Sequence, residues 1–106
     1  MAEKVAHIRI FNDTQGKMNL SIMDLEGETY GILAVSQFTL FGELGKGRRP
    51  YYGAAAAPEK ANALYEYFKE EIKKQGLVCE SGIFQTHMDV TYTNDGPVTI
   101  LLNSSG

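Results

Sequence analysis

One segment assigns itself, and it dictates what the rest of the chain must build. Residues 58–75 (PEKANALYEYFKEEIKKQ) place Ala61, Leu64, Tyr65, Phe68 and Ile72 on a single stripe at helical spacing. Pro58 suits a first helical turn, where the amide hydrogen it lacks would have had no partner. Gly76 stands where a left-handed residue closes a helix. Glu59 near the start, with Lys73 and Lys74 near the end, complements the helix dipole. A helix with one apolar face needs something flat to lie on, so the other segments are expected to form a sheet.

Their patterning agrees. In 18–23, Met18, Leu20 and Ile22 alternate with Asn19 and Ser21, as in a half-buried strand. A turn at Glu26-Gly27 leads into 29–41 (TYGILAVSQFTLF), read as a long second strand with a continuously apolar centre at 32–35. The two are expected to pair as a hairpin. Residues 77–80, 87–93 and 98–102 read as further short strands, with Met88, Val90 and Tyr92 on one face. Residues 2–8 resemble the tail of a helix, with Val5 and Ile8 on one side. Residues 12–16 carry dense turn chemistry, and 42–50 (GELGKGRRP) is loop. The expected fold is α+β, a mostly antiparallel sheet covered by one main helix, in a single domain over residues 1–106.

Composition narrows the function. With 106 residues, 43% hydrophobic and 22% charged, the chain suits one domain with a modest core. A net charge of −3 argues against a broad nucleic-acid interface, so any RNA contact is expected to be local, at a strand end. Cys79 is the only cysteine, which excludes an intrachain disulfide and fits a reducing compartment. Alone, it reads as a small buried hydrophobe. No stretch reaches the ~18 apolar residues of a membrane span, and residues 1–11 do not resemble a signal peptide. A cytoplasmic protein with no membrane partner is expected.

Three segments carry candidate chemistry. The first is 36–40 (SQFTL), where Ser36 or Thr39 would need a nearby base to act as a nucleophile. Neither His7 nor His87 has triad spacing, so strand residues making local hydrogen bonds are the plainer reading. The second, 46–52 (KGRRPYY), joins Lys46, Arg48 and Arg49 to adjacent tyrosines. That combination grips phosphates and stacks on unpaired bases, and it equally describes a solvated loop. The third is 94–99 (NDGPVT). Asp-Gly between strand-like runs signals a tight hairpin, but Pro97 removes a ladder donor and restricts Gly96. A trans proline opening an edge strand competes with a cis Gly-Pro bond that presents two neighbouring carbonyl oxygens. Only about 5–6% of X-Pro bonds in folded proteins are cis, which favours trans on statistics alone. Two histidines and one cysteine at no ligand spacing predict no metal site. No glycine-rich phosphate loop joins a strand to a helix, and no cofactor is expected.

In order along the chain, 9–19 (RIFNDTQGKMN), 36–40 (SQFTL), 46–50 (KGRRP), 63–68 (ALYEYF), 82–84 (GIF) and 94–99 (NDGPVT) resemble the D-aminoacyl-tRNA deacylases, also called D-tyrosyl-tRNA deacylases. The resemblance runs over residues 5–102, and SQFTL and NDGPVT are the family's two signature motifs. It implies a deacylase-type, barrel-like fold and a homodimer with active sites at the subunit interface. The reaction implied is proofreading in translation: hydrolysis of the ester joining a D-amino acid, or misattached glycine, to the terminal ribose of tRNA.

The resemblance also distributes roles. Gly96–Pro97 would be cis and, with Asn94 and Thr99, would enter the partner subunit's site, where its carbonyl oxygens and rigid shape exclude an L side chain by clash. Ser36, Gln37, Phe38 and Thr39 would form the catalytic side. Amides near Phe38 and Thr39 would polarise the ester carbonyl while the ribose 2′-hydroxyl assists attack by water. Phe84 and Met88 match contacts to the terminal adenine, with core packing as the competing reading, and Lys46, Arg48 and Arg49 would meet the tRNA. DNA is not an expected partner. The family's preceding N-terminal strands, with their Gln-Arg-Val segment, have no counterpart before residue 1. An N-terminally truncated sheet with an exposed edge is therefore expected. The alternative function is a non-catalytic dimeric derivative that binds RNA ends or protein.

Overall fold

The computed structural model describes residues 1–26 and 30–104. Along the chain lie α1 (Ala2–His7), β1 (Phe11–Asn12), β2 (Met18–Leu20), a 3-10 turn (Ile22–Asp24), β3 (Ile32–Ala34), a second 3-10 turn (Phe38–Phe41), α2 (Pro58–Lys74) and β4 (Cys79–Ser81).

Helix α2 forms where its pattern places it. Pro58 opens it, and Gly76 closes it at φ +89° with its N–H donating to the Lys73 carbonyl at 2.9 Å. Ile72 is fully buried and Ala61, Tyr65 and Phe68 are half-buried. Leu64 departs from the expected stripe: it is 54% exposed and lines an open groove between α1 and α2 with Met1, Tyr67 and Phe68. The core is small. Ala6 of α1, Ile22, Ile72 and Leu77 form it, with Phe11, Leu25, Ile32 and Phe68 packed around them.

The described strands form two separate two-stranded sheets, β1 with β2 antiparallel and β3 with β4 parallel. This corrects the expectation of a mostly antiparallel sheet and of a hairpin between 18–23 and 29–41. The hairpin lies one segment earlier because 12–16 closes locally. The Asp13 carboxylate accepts from the Gln15 and Lys17 amides at 2.9 and 3.0 Å, and Gly16 takes φ +75°. Strand β2 stops at Leu20 because Ser21 and Asp24 form a capping box around the first 3-10 turn.

Strands β3 and β4 are parallel because α2 lies between them in sequence as the crossover that parallel pairing requires. Gly31 permits the approach, since a Cβ there would stand 3.0 Å from the Val78 carbonyl oxygen. Of the expected strand over 29–41, only Ile32–Ala34 has a ladder partner. Its first residue, Thr29, and Gly27 of the expected turn lie outside the described residues. Residues 87–93 and 98–102 are extended in pattern but belong to no strand. Strand propensity is realised only against a paired neighbour, and among the described residues neither segment has a ladder partner. Among the described residues, no helix is long and apolar enough to cross a membrane.

Candidate active site

At the end of β3 the chain leaves the ladder. Gln37 is extended at φ −153° and ψ 103°, and the 3-10 turn follows, held by the Gly42 N–H donating to the Thr39 carbonyl at 3.0 Å. Ser36 is half-buried, while Gln37, Phe38 and Thr39 are exposed. At the start of that turn the Phe38 and Thr39 amides have no acceptor among the described residues, as the first amides of any helical turn lack an internal one. No hydrogen bond engages the Ser36 or Thr39 hydroxyl among the described residues, so neither has a base beside it.

The basic loop is tied to this segment. Glu43 and Tyr51 exchange two backbone hydrogen bonds of 2.8 and 2.9 Å, closing the loop that presents Lys46, Arg48 and Arg49 to solvent. The Tyr52 ring then meets Phe38 edge-to-face, with centroids 5.0 Å apart.

The second wall continues from β4. The Met88 thioether occupies the space a Cβ at Gly82 would fill, and the Phe84 ring lies 6.1 Å from that of Tyr65. Both Phe84 and Met88 are half-buried, each packing one side and leaving the other accessible. His87 is exposed and stands 3.3 Å from the equally exposed Asp89 carboxylate.

The turn at 94–99 stands apart. Its Gly96–Pro97 bond is cis. Glycine is required at 96, because a Cβ would run into the backbone nitrogen of Val98 and lie 3.2 Å from the Asn94 amide oxygen. Asn94, Gly96, Pro97 and Thr99 are exposed, and no hydrogen bond or ring contact joins them to 36–39 among the described residues. Thus a ring contact ties 36–39 to the end of the basic loop and Tyr65 links Phe84 to Ala34, while among the described residues no hydrogen bond or ring contact ties the Gly96–Pro97 turn to either.

Two concavities mark the surface. One of about 510 Å³ lies between α1 and α2, and one of about 210 Å³ is lined by Val5, Ile8, Phe11, Ile22 and Ile32. Neither is lined by any residue of 36–52 or 82–99. Among the described residues, no group of three histidine, cysteine or carboxylate side chains is placed to hold a metal.

Sequence reasoning missed two participants. The Tyr65 hydroxyl donates to the Ala34 carbonyl at 2.7 Å, and the Lys69 ammonium donates to the Ser81 hydroxyl at 3.1 Å. The signal was available: a tyrosine on an otherwise apolar stripe, with a lysine one turn later.

These features define a small mixed α/β protein built on one main helix. A family model described as D-Tyr-tRNA(Tyr) deacylase matches residues 1–103, and the chain belongs to that family. The D-aminoacyl-tRNA deacylase of Koribacter versatilis (strain Ellin345) is 57% identical over 104 residues, 98% of this chain and 68% of that protein. The D-aminoacyl-tRNA deacylase of Desulfotalea psychrophila (strain LSv54 / DSM 12343) is likewise 57% identical over 104 residues, with the same coverage. Among solved structures, the c-Myc DNA unwinding element binding protein superposes with a TM-score of 0.82 at 40% identity, over 98% of this chain and 69% of that one.

Proposed function

We propose that this chain is an esterase that frees tRNA from D-amino acids, and from misattached glycine, as a proofreading step of translation. The observation that carries the reading is the family match over residues 1–103, which takes in both the 36–40 and the 94–99 motifs. Water adds to the ester carbonyl carbon, the bond to the ribose oxygen breaks, and free amino acid and tRNA leave. The Phe38 and Thr39 amides, open at the start of their turn, receive the negative charge that develops on the carbonyl oxygen. The substrate's own 2′-hydroxyl assists the water, consistent with a Thr39 hydroxyl that has no base. Ser36 and Gln37 complete that side. Phe84 and Met88 take the terminal adenine on their accessible sides, and Lys46, Arg48 and Arg49 meet the phosphates of the acceptor end.

The active unit is a homodimer in the cytoplasm, where aminoacyl-tRNA is used. Asn94, Gly96, Pro97 and Thr99 of one copy act in the site of the other and exclude an L side chain by clash. Their exposure, and the absence among the described residues of a hydrogen bond or ring contact with 36–39 of their own chain, support this arrangement. The structural neighbour is named for binding a DNA element. For this chain, a net charge of −3 gives duplex DNA little to bind, and duplex DNA is not expected to compete for the site.

The test is a matched pair of substrates, D-tyrosyl-tRNA and L-tyrosyl-tRNA. The D form is expected to be hydrolysed at least about 100-fold faster, the discrimination a steric filter can reach. Equal rates would remove the filter assigned to Gly96 and Pro97. Binding of the acceptor end without hydrolysis of either ester would replace the enzyme by the RNA-end binding module.

A further inference from the structure

We propose that Tyr65 and Lys69, one turn apart on α2, are positioning residues that hold the two walls of the site in register. The proposal rests on the reading of 36–39 and 82–88 as those walls. Strands β3 and β4 run parallel with Ala34 opposite Ser81, so both end at the same level. Beyond that level one strand leads to 36–39 and the other to Phe84 and Met88. Each strand end is gripped by one side chain of α2. Where the ladder stops, the Tyr65 hydroxyl satisfies the Ala34 carbonyl at 2.7 Å. On the neighbouring strand, the Lys69 ammonium donates to the Ser81 hydroxyl at 3.1 Å. The spacing of four residues puts both on one helix face.

The two grips are joined to each other. The Lys69 ammonium stands 4.5 Å from the centre of the Tyr65 ring, within cation–π range, and Glu66 holds it at 2.9 Å. Only 12% of the Lys69 side chain is exposed, which is low for a lysine. Its hydrogen bond with Glu66 is the main cause of a pKa raised above the ordinary value, so the ammonium is retained. The Tyr65 ring also packs beside Phe84. One tyrosine therefore touches both walls: the carbonyl two residues before Ser36 and the ring assigned to the adenine. Core packing alone asks for no polar atoms here, and Ala61, Phe68 and Ile72 on the same stripe carry none. Fixing the Ala34 carbonyl fixes the direction in which the chain leaves β3, and so where the Phe38 and Thr39 amides point.

Tyr65→Phe keeps the ring and removes the grip; Lys69→Met keeps the stem and removes the other. In Tyr65→Phe, kcat on D-tyrosyl-tRNA is expected to fall about tenfold with KM nearly unchanged, the signature of a contact felt in the transition state. Tyr65→Leu, which also loses the ring beside Phe84, is expected to raise KM as well. Amide hydrogen exchange gives a readout independent of turnover. Exchange is expected to quicken in 35–41 for Tyr65→Phe and in 79–88 for Lys69→Met, with α2 and the β1–β2 hairpin unchanged. Unchanged exchange in those segments, or a rise spread over the whole chain, overturns the proposal. So does a local rise that leaves kcat at the unsubstituted value. If the unsubstituted protein hydrolyses neither ester, the enzymatic reading fails, and the exchange pattern alone still decides whether these side chains set the two walls.

Discussion

Thr39 is where two mechanisms part. A hydroxyl nucleophile requires a base, and none hydrogen-bonds to Thr39 among the described residues; backbone amides at the same position need no activation. Thr39→Ala is therefore expected to keep kcat on D-tyrosyl-tRNA within about threefold of the unsubstituted value, measured in single-turnover assays. A loss of about a thousandfold would make the hydroxyl the nucleophile and retire the amide mechanism. At this scale, legibility follows the range of the interaction. Asp13 announces its turn because its carboxylate reaches amides only two and four residues on. Tyr65 is legible as a stripe position and no more. Its partner Ala34 lies 31 residues away, and no local pattern records which carbonyl a hydroxyl will find.

Among elements, the helix is readable whole and the strands only in part, β2, β3 and β4 forming within or across the expected runs 18–23, 29–41 and 77–80, for one reason. Residues 58–75 satisfy their backbone internally, so spacing and caps suffice to define α2. Strands need a neighbour. Residues 87–93 and 98–102 have the alternation and β-branched content of strands, yet no described strand pairs with them. The alternation of 18–23 runs on to Met23 in sequence, but the polar pair Ser21 and Asp24 ends the strand in a capping box. That box has a measurable acid signature. The Asp24 carboxylate accepts from the Ser21 amide at 2.9 Å and from the Ser21 hydroxyl at 3.1 Å. The bond from the Ser21 amide chiefly lowers its pKa below the ordinary 3.8, the hydroxyl adds to this, and the charges of Arg9 and His7 contribute less. A carboxylate whose folded pKa is depressed stabilises the fold fully above its unfolded pKa and loses that contribution as pH falls through the folded value. Compared by thermal melts, Asp24→Ala is expected to be less stable than the unsubstituted protein at neutral pH. The gap should narrow as pH falls below the ordinary 3.8 and through the lower folded value. A gap that stays constant over that range would mean the box contributes nothing through its charge.

At the scale of the molecule, the single chain is open for its size. It exposes 8864 Å², where a compact monomer of its 11.7 kDa would expose about 5,900 Å². Its radius of gyration is 16.0 Å against about 13 Å for a compact domain of this length. Large apolar side chains are exposed along much of the chain, from Met1 to Leu101. Phe38, Leu40 and Phe41 are 59, 81 and 55% exposed, and Tyr92, Ile100 and Leu101 are 75, 53 and 90% exposed. These side chains flank the two segments assigned to one site, which no hydrogen bond or ring contact joins among the described residues. A stable pair needs only about 800 Å² from each partner, well inside the excess. Association of two copies would therefore cover apolar surface and bring the 94–99 turn of one to the 36–39 segment of the other. Sedimentation at micromolar concentration is expected to give a dimer. Leu101→Asp, which puts a charge on the most exposed of these residues, is expected to shift it to monomer while α2 keeps its helical circular dichroism. Hydrolysis of D-tyrosyl-tRNA should fall in step with the dimer fraction if each site borrows its filter from the other copy, as proposed. A monomer for the unsubstituted chain, or a Leu101→Asp monomer with full activity and full preference for the D ester, would mean that each chain builds its site alone.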